Sequence, residues 1–222
     1  MEKLQYFFDT KHKVVVRKYK TNTGKRVEHY VDNEWKVDRN LLAFFVAAYF
    51  GYTDDYDVDD ETLQHITEKQ VEEYIHQQHL KKQLQKAIEL AKKYHEGQVD
   101  KAGKPYFLHP QTVASLVDDL DAKIVAYMHD LIEDTPVTKQ FLIDCGFDEY
   151  IVNAVEILTH KDKTDDYFDY VRGVAKNPLA KKVKIADLTT NSDLSRLDNP
   201  TKTDFERAEK YKKALQILQE KN

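Results

Sequence analysis

The chain has 222 residues, a formal net charge of −5 and a single cysteine, Cys145. One cysteine excludes an internal disulfide and fits a reducing cytoplasm, and interspersed acids and bases do not predict a broad nucleic-acid-binding surface. No apolar run approaches the ~20 residues that span a bilayer, and the first residues lack the apolar core of a signal peptide. We therefore expect a cytoplasmic protein with no membrane partner.

The first part of the sequence predicts a small α+β unit. Short β-branched and aromatic runs at residues 14–16 and 27–31 flank turn-forming residues 21–24, which indicates a β-hairpin, and Trp35 marks a third edge. The pattern then predicts a helix, an acidic loop and a polar helix, at residues 41–50, 54–60 and 67–79. We take residues 1–78 as an N-terminal α+β appendage of unknown role.

From residue 80 onwards the apolar residues recur at helical spacing, which predicts an all-α domain over residues 79–222. The first helix of this domain stops before Gly97, and the Gly and Pro content of residues 98–110 indicates a loop. Further helices are predicted at residues 113–120, 122–134, 151–158, 165–175, 179–193 and 204–218. The predicted fold class is therefore mainly α, with a small N-terminal α+β appendage.

Residues 127–135 concentrate ionisable side chains in an otherwise apolar run. His129 and Asp130 are adjacent, and Glu133 and Asp134 each follow one of them by four residues, which on a helix would stack each acid above one member of the pair. Acids beside buried apolar residues are costly unless a cation or a substrate needs them. An ordinary helix end with solvated acids is the alternative explanation of this stretch taken alone.

Two further places offer metal-type ligands. His109 stands at a loop-to-helix junction, and Asp187 lies in the middle of an apolar predicted helix, where an unpaired carboxylate would be expensive. Together with His129 and Asp130 they would combine nitrogen and oxygen donors. This set suits Mn²⁺, Fe²⁺ or Zn²⁺ better than Ca²⁺ or Mg²⁺.

Four motifs in this order carry a resemblance to a known family. The chain resembles the HD-superfamily hydrolases of the RelA/SpoT type, most closely the small alarmone hydrolases, over about residues 80–218. The motifs are His95-Glu96-Gly97-Gln98, then Lys101 with Gly103-Lys104-Pro105-Tyr106 and His109-Pro110, then residues 129–135, and finally residues 184–191.

The resemblance implies a metal-dependent phosphohydrolase with an all-helical HD core. By this resemblance, the metal ligands are His109, His129, Asp130 and Asp187, which would hold one Mn²⁺ per site, with Fe²⁺ or Zn²⁺ as alternatives. The family removes the 3′-pyrophosphate of (p)ppGpp as a unit, by attack of a metal-bound water. The implied activity is therefore that of a guanosine-3′,5′-bis(diphosphate) 3′-pyrophosphohydrolase.

The resemblance also implies roles for residues around the metal. Glu133 and Asp134 are the implied catalytic residues, which position and deprotonate the attacking water. Substrate-binding roles fall to two groups. Lys101, Lys184 and His95 would neutralise phosphate charge, and Tyr106 and Asn191 would contact the nucleoside.

The sequence departs from the family at two positions. The family usually has an arginine where this chain has Asp100, and another where it has Leu188. An aspartate cannot stack on a base as a guanidinium does, so guanosine specificity is left open while catalysis is little affected. The candidates to replace the missing guanidinium groups are Arg172, Arg196 or a residue of the N-terminal appendage.

Two other functions stay open at this point. One is an antitoxin-type hydrolase that neutralises a toxic small alarmone synthetase, either by destroying its product or by removing pyrophosphate from the 3′-CCA end of tRNA. The other is a degenerate HD domain that acts as a protein-binding module. The sequence leaves the oligomeric state open.

Overall fold

The computed structural model describes residues 4–10, 12–22, 24–37, 63–160, 166–197 and 199–220. The chain divides into two compact units, Met1–His79 and Leu80–Asn222. The helix predicted at residues 41–50 and the acidic loop predicted at residues 54–60 lie outside the described residues.

The first unit is built on an antiparallel sheet of five strands in the order β4-β3-β2-β1-β5. The predicted hairpin is confirmed, because β2 and β3 pair antiparallel from Val16 opposite His29 to Thr21 opposite Gly24. Asp32 and Asn33, both at positive φ, join β3 to β4, as a two-residue hairpin turn requires. The strands are β1 Gln5–Asp9, β2 Val14–Thr21, β3 Gly24–Val31, β4 Glu34–Val37 and β5 Leu63–Ile66.

One face of this sheet packs on the first part of a long helix, α1. Val15 and Tyr30 from the sheet and Val71 from the helix form a buried cluster, and Trp35 packs against it. The helix α1 spans Glu68–Tyr94 without a break. The prediction of two separate helices here was wrong, because no glycine or proline interrupts residues 67–94 and only the polarity of the sequence changes within them.

Among the described residues of the second unit, all the regular elements are helices. An isolated bridge joins Val99 to Pro105 in the loop after α1. The helices are α2 Leu108–Ser115, α3 Leu120–Met128, α4 Leu131–Asp134, α5 Lys139–Asp144, α6 Glu149–Leu158, α7 Tyr167–Val174, α8 Pro178–Ser192 and α9 Lys202–Gln219, with a 3₁₀ turn at Leu194–Arg196. The protein is therefore mainly α with a small N-terminal antiparallel sheet.

Helix α3 is the centre of the helical unit, because it packs against α2, α6 and α8. Its side chains Ile124, Val125 and Met128 are fully buried. The helix begins where the side chain of Asp119 accepts a hydrogen bond from the Ala122 N–H, 2.9 Å away. Because α3 packs against three other helices, Met128 at its end and the neighbouring His129 are buried.

Two predicted helices had wrong boundaries. The helix predicted at residues 113–120 runs from Leu108 to Ser115 instead, with Pro110 in its first turn, where a missing N–H costs nothing. The helix predicted at residues 122–134 is interrupted at His129 and Asp130, between α3 and α4. In the described residues, none of the helices has an apolar stretch of membrane-spanning length.

Candidate metal centre and its cavity

His129 lies at the break between α3 and α4 with only 3% of its surface exposed. Its Nδ1 lies 2.7 Å from the carbonyl oxygen of Ala126, so in the neutral ring this nitrogen carries the proton and Nε2 carries a lone pair. Nε2 is buried and makes no hydrogen bond within the described residues. Asp130 Oδ2 lies 3.1 Å from it, but outside hydrogen-bonding geometry. Two acceptors this close tolerate each other only if a proton or a cation lies between them.

Two other helices bring donor atoms to the same place. From α2, His109 Nε2 lies 3.6 Å from Asp130 Oδ2, and from α8, Asp187 Oδ1 lies 3.2 Å from His109 Nε2 and 3.7 Å from His129 Nε2. The ligand atoms of His109, His129 and Asp130 all lie within 4.8 Å of one another. All four predicted metal ligands therefore converge, although they come from three separate segments of the sequence.

This cluster fits a divalent transition-metal ion. Donors that bind one ion at about 2.0–2.2 Å lie about 3 to 3.5 Å apart, close to the spacing of these side chains. Two imidazole nitrogens with two carboxylates form a mixed donor set of the kind that Mn²⁺, Fe²⁺ and Zn²⁺ accept. The unpaired, buried Nε2 of His129 is the atom that such an ion would satisfy.

The electrostatics of the cluster favour a bound cation. Burial opposes a charged imidazole, yet Asp130 and Asp187 raise the pKa of His129 well above its usual value. Burial likewise opposes the charged form of Asp130, but His129 lowers the pKa of that carboxyl to about 2. The pKa of Asp187 is held well below its usual value by Lys184 and both histidines, against the effect of burial. The two carboxylates are therefore ionised at neutral pH and provide negative charge inside the core.

Two further carboxylates lie beside the cluster. The Glu133 Oε2 accepts a hydrogen bond from the backbone N–H of His160 at 2.9 Å, which fixes its orientation. Burial raises the pKa of Glu133 and of Asp134, and the charge of Asp130 raises both further. The Tyr106 hydroxyl donates to Asp130 Oδ2 at 2.6 Å and lies 3.4 Å from Asp134 Oδ2.

A cavity of about 610 Å³ opens onto this group of side chains. Its walls include most of the residues that the sequence assigned to metal, catalysis or substrate, and both positions where the chain departs from the family. These lining residues are Lys101, Tyr106, His109, Asp130, Glu133, Asp134, Lys184, Asp187 and Asn191, with Asp100 and Leu188 beside them.

The residues predicted to contact substrate differ in their surroundings. Lys184 Nζ donates to Asp187 Oδ2 at 2.9 Å and Asn191 Nδ2 donates to Asp187 Oδ1 at 2.6 Å, so both support a predicted ligand. Lys101 Nζ donates to Asp204 Oδ1 at 2.9 Å. His95 is 2% exposed and bonds Gln98 through Nδ1. Its ring contacts that of Tyr106, but His95 is not among the residues that line the cavity.

The departure at Asp100 has a local structural explanation. Its Oδ1 accepts hydrogen bonds from the backbone N–H groups of Ala102 and Lys104, each at 2.9 Å. The enclosed turn needs Gly103 at φ +74°. An aspartate at this position therefore holds the loop that carries Lys101, a role that an arginine could not perform.

The sequence did not predict several of the residues that line the cavity. His160, Tyr167 and Tyr170 come from the segment around α7, and Arg207, Lys210 and Tyr211 come from one face of α9. The spacing of the last three, at i, i+3 and i+4, was the available signal, but it is equally typical of a solvated helix face. Of the suggested substitutes for the missing arginines, Arg172 pairs with Asp169 and is not a lining residue, and the side chain of Arg196 lies outside the described residues.

Comparison with known proteins identifies relatives of the helical unit. A family model described as "HD domain" matches residues 87–215. A Haemophilus influenzae protein named guanosine-3′,5′-bis(diphosphate) 3′-pyrophosphohydrolase is 38% identical over 116 residues, which are 46% of this chain and 17% of that protein. A Borreliella burgdorferi protein of the same name is 31% identical over 128 residues, 55% of this chain and 19% of that protein. The chain thus matches less than a fifth of the length of these curated relatives.

A solved structure shares the fold. It covers 63% of this chain and 87% of its own length, with a TM-score of 0.50 and 22% sequence identity. The structure is described in the words "A metazoan ortholog of SpoT hydrolyzes ppGpp and plays a role in starvation responses". At this identity the likeness shows the fold of the helical unit and nothing further.

Proposed function

Because this chain belongs to the HD domain family, we propose that it is a metal-dependent phosphohydrolase that removes the 3′-pyrophosphate of (p)ppGpp or a related alarmone. The observation that supports this proposal most strongly is the convergence of two histidines and two aspartates around the buried, unpaired Nε2 of His129. Relatives named as (p)ppGpp 3′-pyrophosphohydrolases support the substrate class. We further propose that residues 79–222 form the hydrolase domain and that residues 1–78 are an appendage of unknown role.

His109, His129, Asp130 and Asp187 would hold one divalent ion, with Mn²⁺ as the proposed metal. When bound, such an ion supplies Lewis acidity, which makes water more acidic and draws charge from a phosphoryl oxygen. Around it, Asn191 and Lys184 keep Asp187 oriented through their hydrogen bonds to its two oxygens. Tyr106 does the same for Asp130.

Glu133 and Asp134 position the attacking water and accept its proton. Burial raises the pKa of both carboxyls, so each carboxylate is a stronger base than a solvated one. The water oxygen bonds to the phosphorus attached to the 3′ oxygen while its proton passes to a carboxylate. The bond between this phosphorus and the 3′ oxygen breaks, and the 3′ oxygen takes up a proton as pyrophosphate is released. The hydrogen bond from the His160 backbone keeps Glu133 in place during this step.

The cations of the cavity would bind the phosphates of the substrate. Lys101 and Lys184 come from two of the four motifs that carry the family resemblance, and Arg207 and Lys210 add positive charge from α9. Charge-assisted hydrogen bonds to phosphate are stronger than neutral ones, so these groups would provide most of the binding energy. They would also stabilise negative charge on the pyrophosphoryl group as it is transferred to water.

A second candidate substrate is the 3′ end of tRNA, in an antitoxin-type hydrolase. The observation that favours it is an aromatic side of the cavity, formed by His160, Tyr167, Tyr170 and Tyr211 next to Lys210. Aromatic rings beside cations are the usual means of holding unpaired nucleobases. The same feature also suits the base of a mononucleotide, so only a direct comparison of substrates separates the two.

The test is manganese-dependent release of pyrophosphate from ppGpp and from 3′-pyrophosphorylated tRNA, measured in parallel. Asp130→Ala is the blank, because it removes one ligand and the hydrogen-bond acceptor of Tyr106. We expect turnover of ppGpp that depends on Mn²⁺ and is absent in the variant. Turnover of the tRNA alone would shift the proposal to the second substrate. Activity on neither substrate, with no metal bound by the purified protein, would leave the protein-binding module.

A further inference from the structure

The hydroxyl of Tyr167 is an unpaired polar group at the cavity. Tyr167 lines the cavity, and its hydroxyl oxygen is buried without a hydrogen-bond partner in the part of the chain that the structure describes. A buried hydroxyl normally finds a partner, because leaving it unpaired loses its hydrogen bonds to water. Because Tyr167 lines the cavity, a group bound there can supply the partner that this hydroxyl lacks among the described residues.

The backbone around Tyr167 holds the ring in place. Tyr167 is the first residue of α7, and the side chain of Asp166 caps this helix by accepting hydrogen bonds from the N–H groups of Phe168 and Asp169. The ring also contacts Tyr211, with the two ring centroids 6.3 Å apart. The unpaired hydroxyl is therefore a fixed feature of this wall.

The charges around Tyr167 indicate the kind of group that would pair with it. Lys210 Nζ lies 4.2 Å from the ring centroid. Burial raises the pKa of the Tyr167 hydroxyl and Lys184 acts in the opposite direction, so Lys184 is also close enough to interact. The nearby carboxylate of Asp187 is already bonded to Lys184 and Asn191. A neutral hydroxyl donor in a cavity wall that also carries these two lysines matches an anionic oxygen.

Tyr170, one turn further along α7, provides a matched comparison. Its ring also lines the cavity, but its hydroxyl donates to the carbonyl oxygen of Leu158. The two tyrosines therefore share a helix and a cavity and differ in whether the hydroxyl is already paired.

We propose that the Tyr167 hydroxyl donates a hydrogen bond to a phosphoryl oxygen of the bound substrate, and that Tyr167 is thus a substrate-contacting residue. This inference rests on the proposed phosphohydrolase function and names a contact within its site. The hydrogen bond satisfies the unpaired donor, and it adds a neutral contact to the charge-assisted hydrogen bonds that the lysines make to the phosphate.

The experiment compares Tyr167→Phe with Tyr170→Phe, each keeping its ring. For Tyr167→Phe we expect kcat/KM for ppGpp to fall about 10- to 100-fold, the usual value of a hydrogen bond to a charged group. Its Tm should be unchanged or higher, because the variant removes an unsatisfied group. For Tyr170→Phe, which removes the hydrogen bond to Leu158, we expect a lower Tm and a smaller fall in kcat/KM than for Tyr167→Phe. Calorimetric titration of inorganic pyrophosphate, with Mn²⁺ in excess, measures phosphate binding without turnover.

A Tyr167→Phe variant with wild-type kcat/KM and wild-type pyrophosphate affinity would overturn the inference. So would a loss of activity that only accompanies a lower Tm, since that is the result of a structural role. If the wild type does not hydrolyse ppGpp, the proposed function fails, and the titration alone decides the inference. Weaker pyrophosphate binding by Tyr167→Phe than by the wild type would then support it, and equal binding, or none by the wild type, would refute it.

Discussion

Asp187 shows how single residues determine the chemistry of this site. Its two oxygens accept hydrogen bonds from Lys184 and Asn191, which lie three residues before it and four after it on α8. These two donors leave Asp187 charged, oriented and directed at His109 and His129. The same contacts also assign Asn191 a role that differs from the one expected from the family resemblance, where it contacts the nucleoside.

The variant Asn191→Ala distinguishes a role in orienting Asp187 from a role in contacting the nucleoside. We expect this variant to weaken Mn²⁺ binding about 10- to 100-fold, because partners that orient a metal ligand typically have effects of that size. The affinity for Mn²⁺ is measured by isothermal titration calorimetry. Thr189→Ala is the control, since Thr189 is exposed on the same helix and bonds only the carbonyl of Ile185 among the contacts described for it. Unchanged metal affinity with a higher KM for ppGpp would instead favour the nucleoside contact.

At the residue scale, the sequence predicted the cluster because it could be recognised from short motifs. His129 and Asp130 stand out as polar residues in an apolar run, and Asp187 stands out for the same reason. Tyr167 and Arg207 could not be found in this way. Tyrosines and arginines at helical spacing are common on solvated faces, and only the tertiary structure shows that these two line the cavity.

Capping hydrogen bonds fix the N-termini of the helices that supply the site residues. Asn177 caps α8 by accepting hydrogen bonds from the N–H groups of Leu179 and Ala180, with Pro178 in the first turn. Asp119 caps α3, the helix that leads to His129, and also pairs with Lys182 of α8. The Asp119 carboxylate therefore connects the two helices that supply His129 and Asp187.

The pair between Asp119 and Lys182 makes stability depend on pH. Burial alone would raise the pKa of Asp119, but Lys182 and the Ala122 N–H lower it. A carboxyl with a lowered pKa in the folded state contributes stability above the unfolded-state pKa, about 4, and loses it as the pH falls through the folded value. We expect Asp119→Asn, which keeps a capping oxygen but no charge, to be less stable than the wild type at pH 7. The difference should shrink as the pH falls below about 4.

Urea unfolding of the wild type and Asp119→Asn across this pH range measures the effect. Asp118→Asn is the control, because it removes a negative charge at the exposed neighbouring position without changing the cap. The free energy of unfolding of this control should follow the wild type through the acid range. If the free energies of unfolding of the wild type and Asp119→Asn differ by the same amount at every pH, the prediction is contradicted.

At the element scale, periodicity predicted that helices exist in the second unit but not where several of them end. The Gly and Pro content of residues 98–110 predicted a loop, yet α2 begins inside this stretch at Leu108, with Pro110 in its first turn. The interruption at His129 and Asp130 left no signal in the sequence, because both residues keep near-helical backbone angles and no proline or glycine intervenes. The strand Leu63–Ile66 was missed because its four residues do not alternate clearly between apolar and polar.

At the scale of the whole molecule, each unit has a core of its own. The core of the first unit contains Val15, Tyr30 and Val71, with Trp35 packed against it. The core of the second unit is a larger cluster of helix residues that includes Ile124, Met128 and Leu131. All the residues of the candidate metal centre belong to the second unit. Separate cores, with the candidate metal centre confined to one of them, predict that a bound ion stabilises one unit selectively.

Metal removal tests this prediction with two probes. Trp35 is the only tryptophan of the chain, so its fluorescence reports on the first unit, whereas far-UV circular dichroism reports mainly on the helices of the second. Saturating Mn²⁺ should raise the Tm seen by circular dichroism by about 5 to 10 °C over the protein in EDTA, because an ion at 100 times its Kd adds about 2.7 kcal/mol to the stability of the folded state. The fluorescence transition should not move. Asp187→Asn should abolish the shift, since it removes a charged ligand at nearly constant volume. A shift of equal size in both probes would show instead that the two units unfold as one.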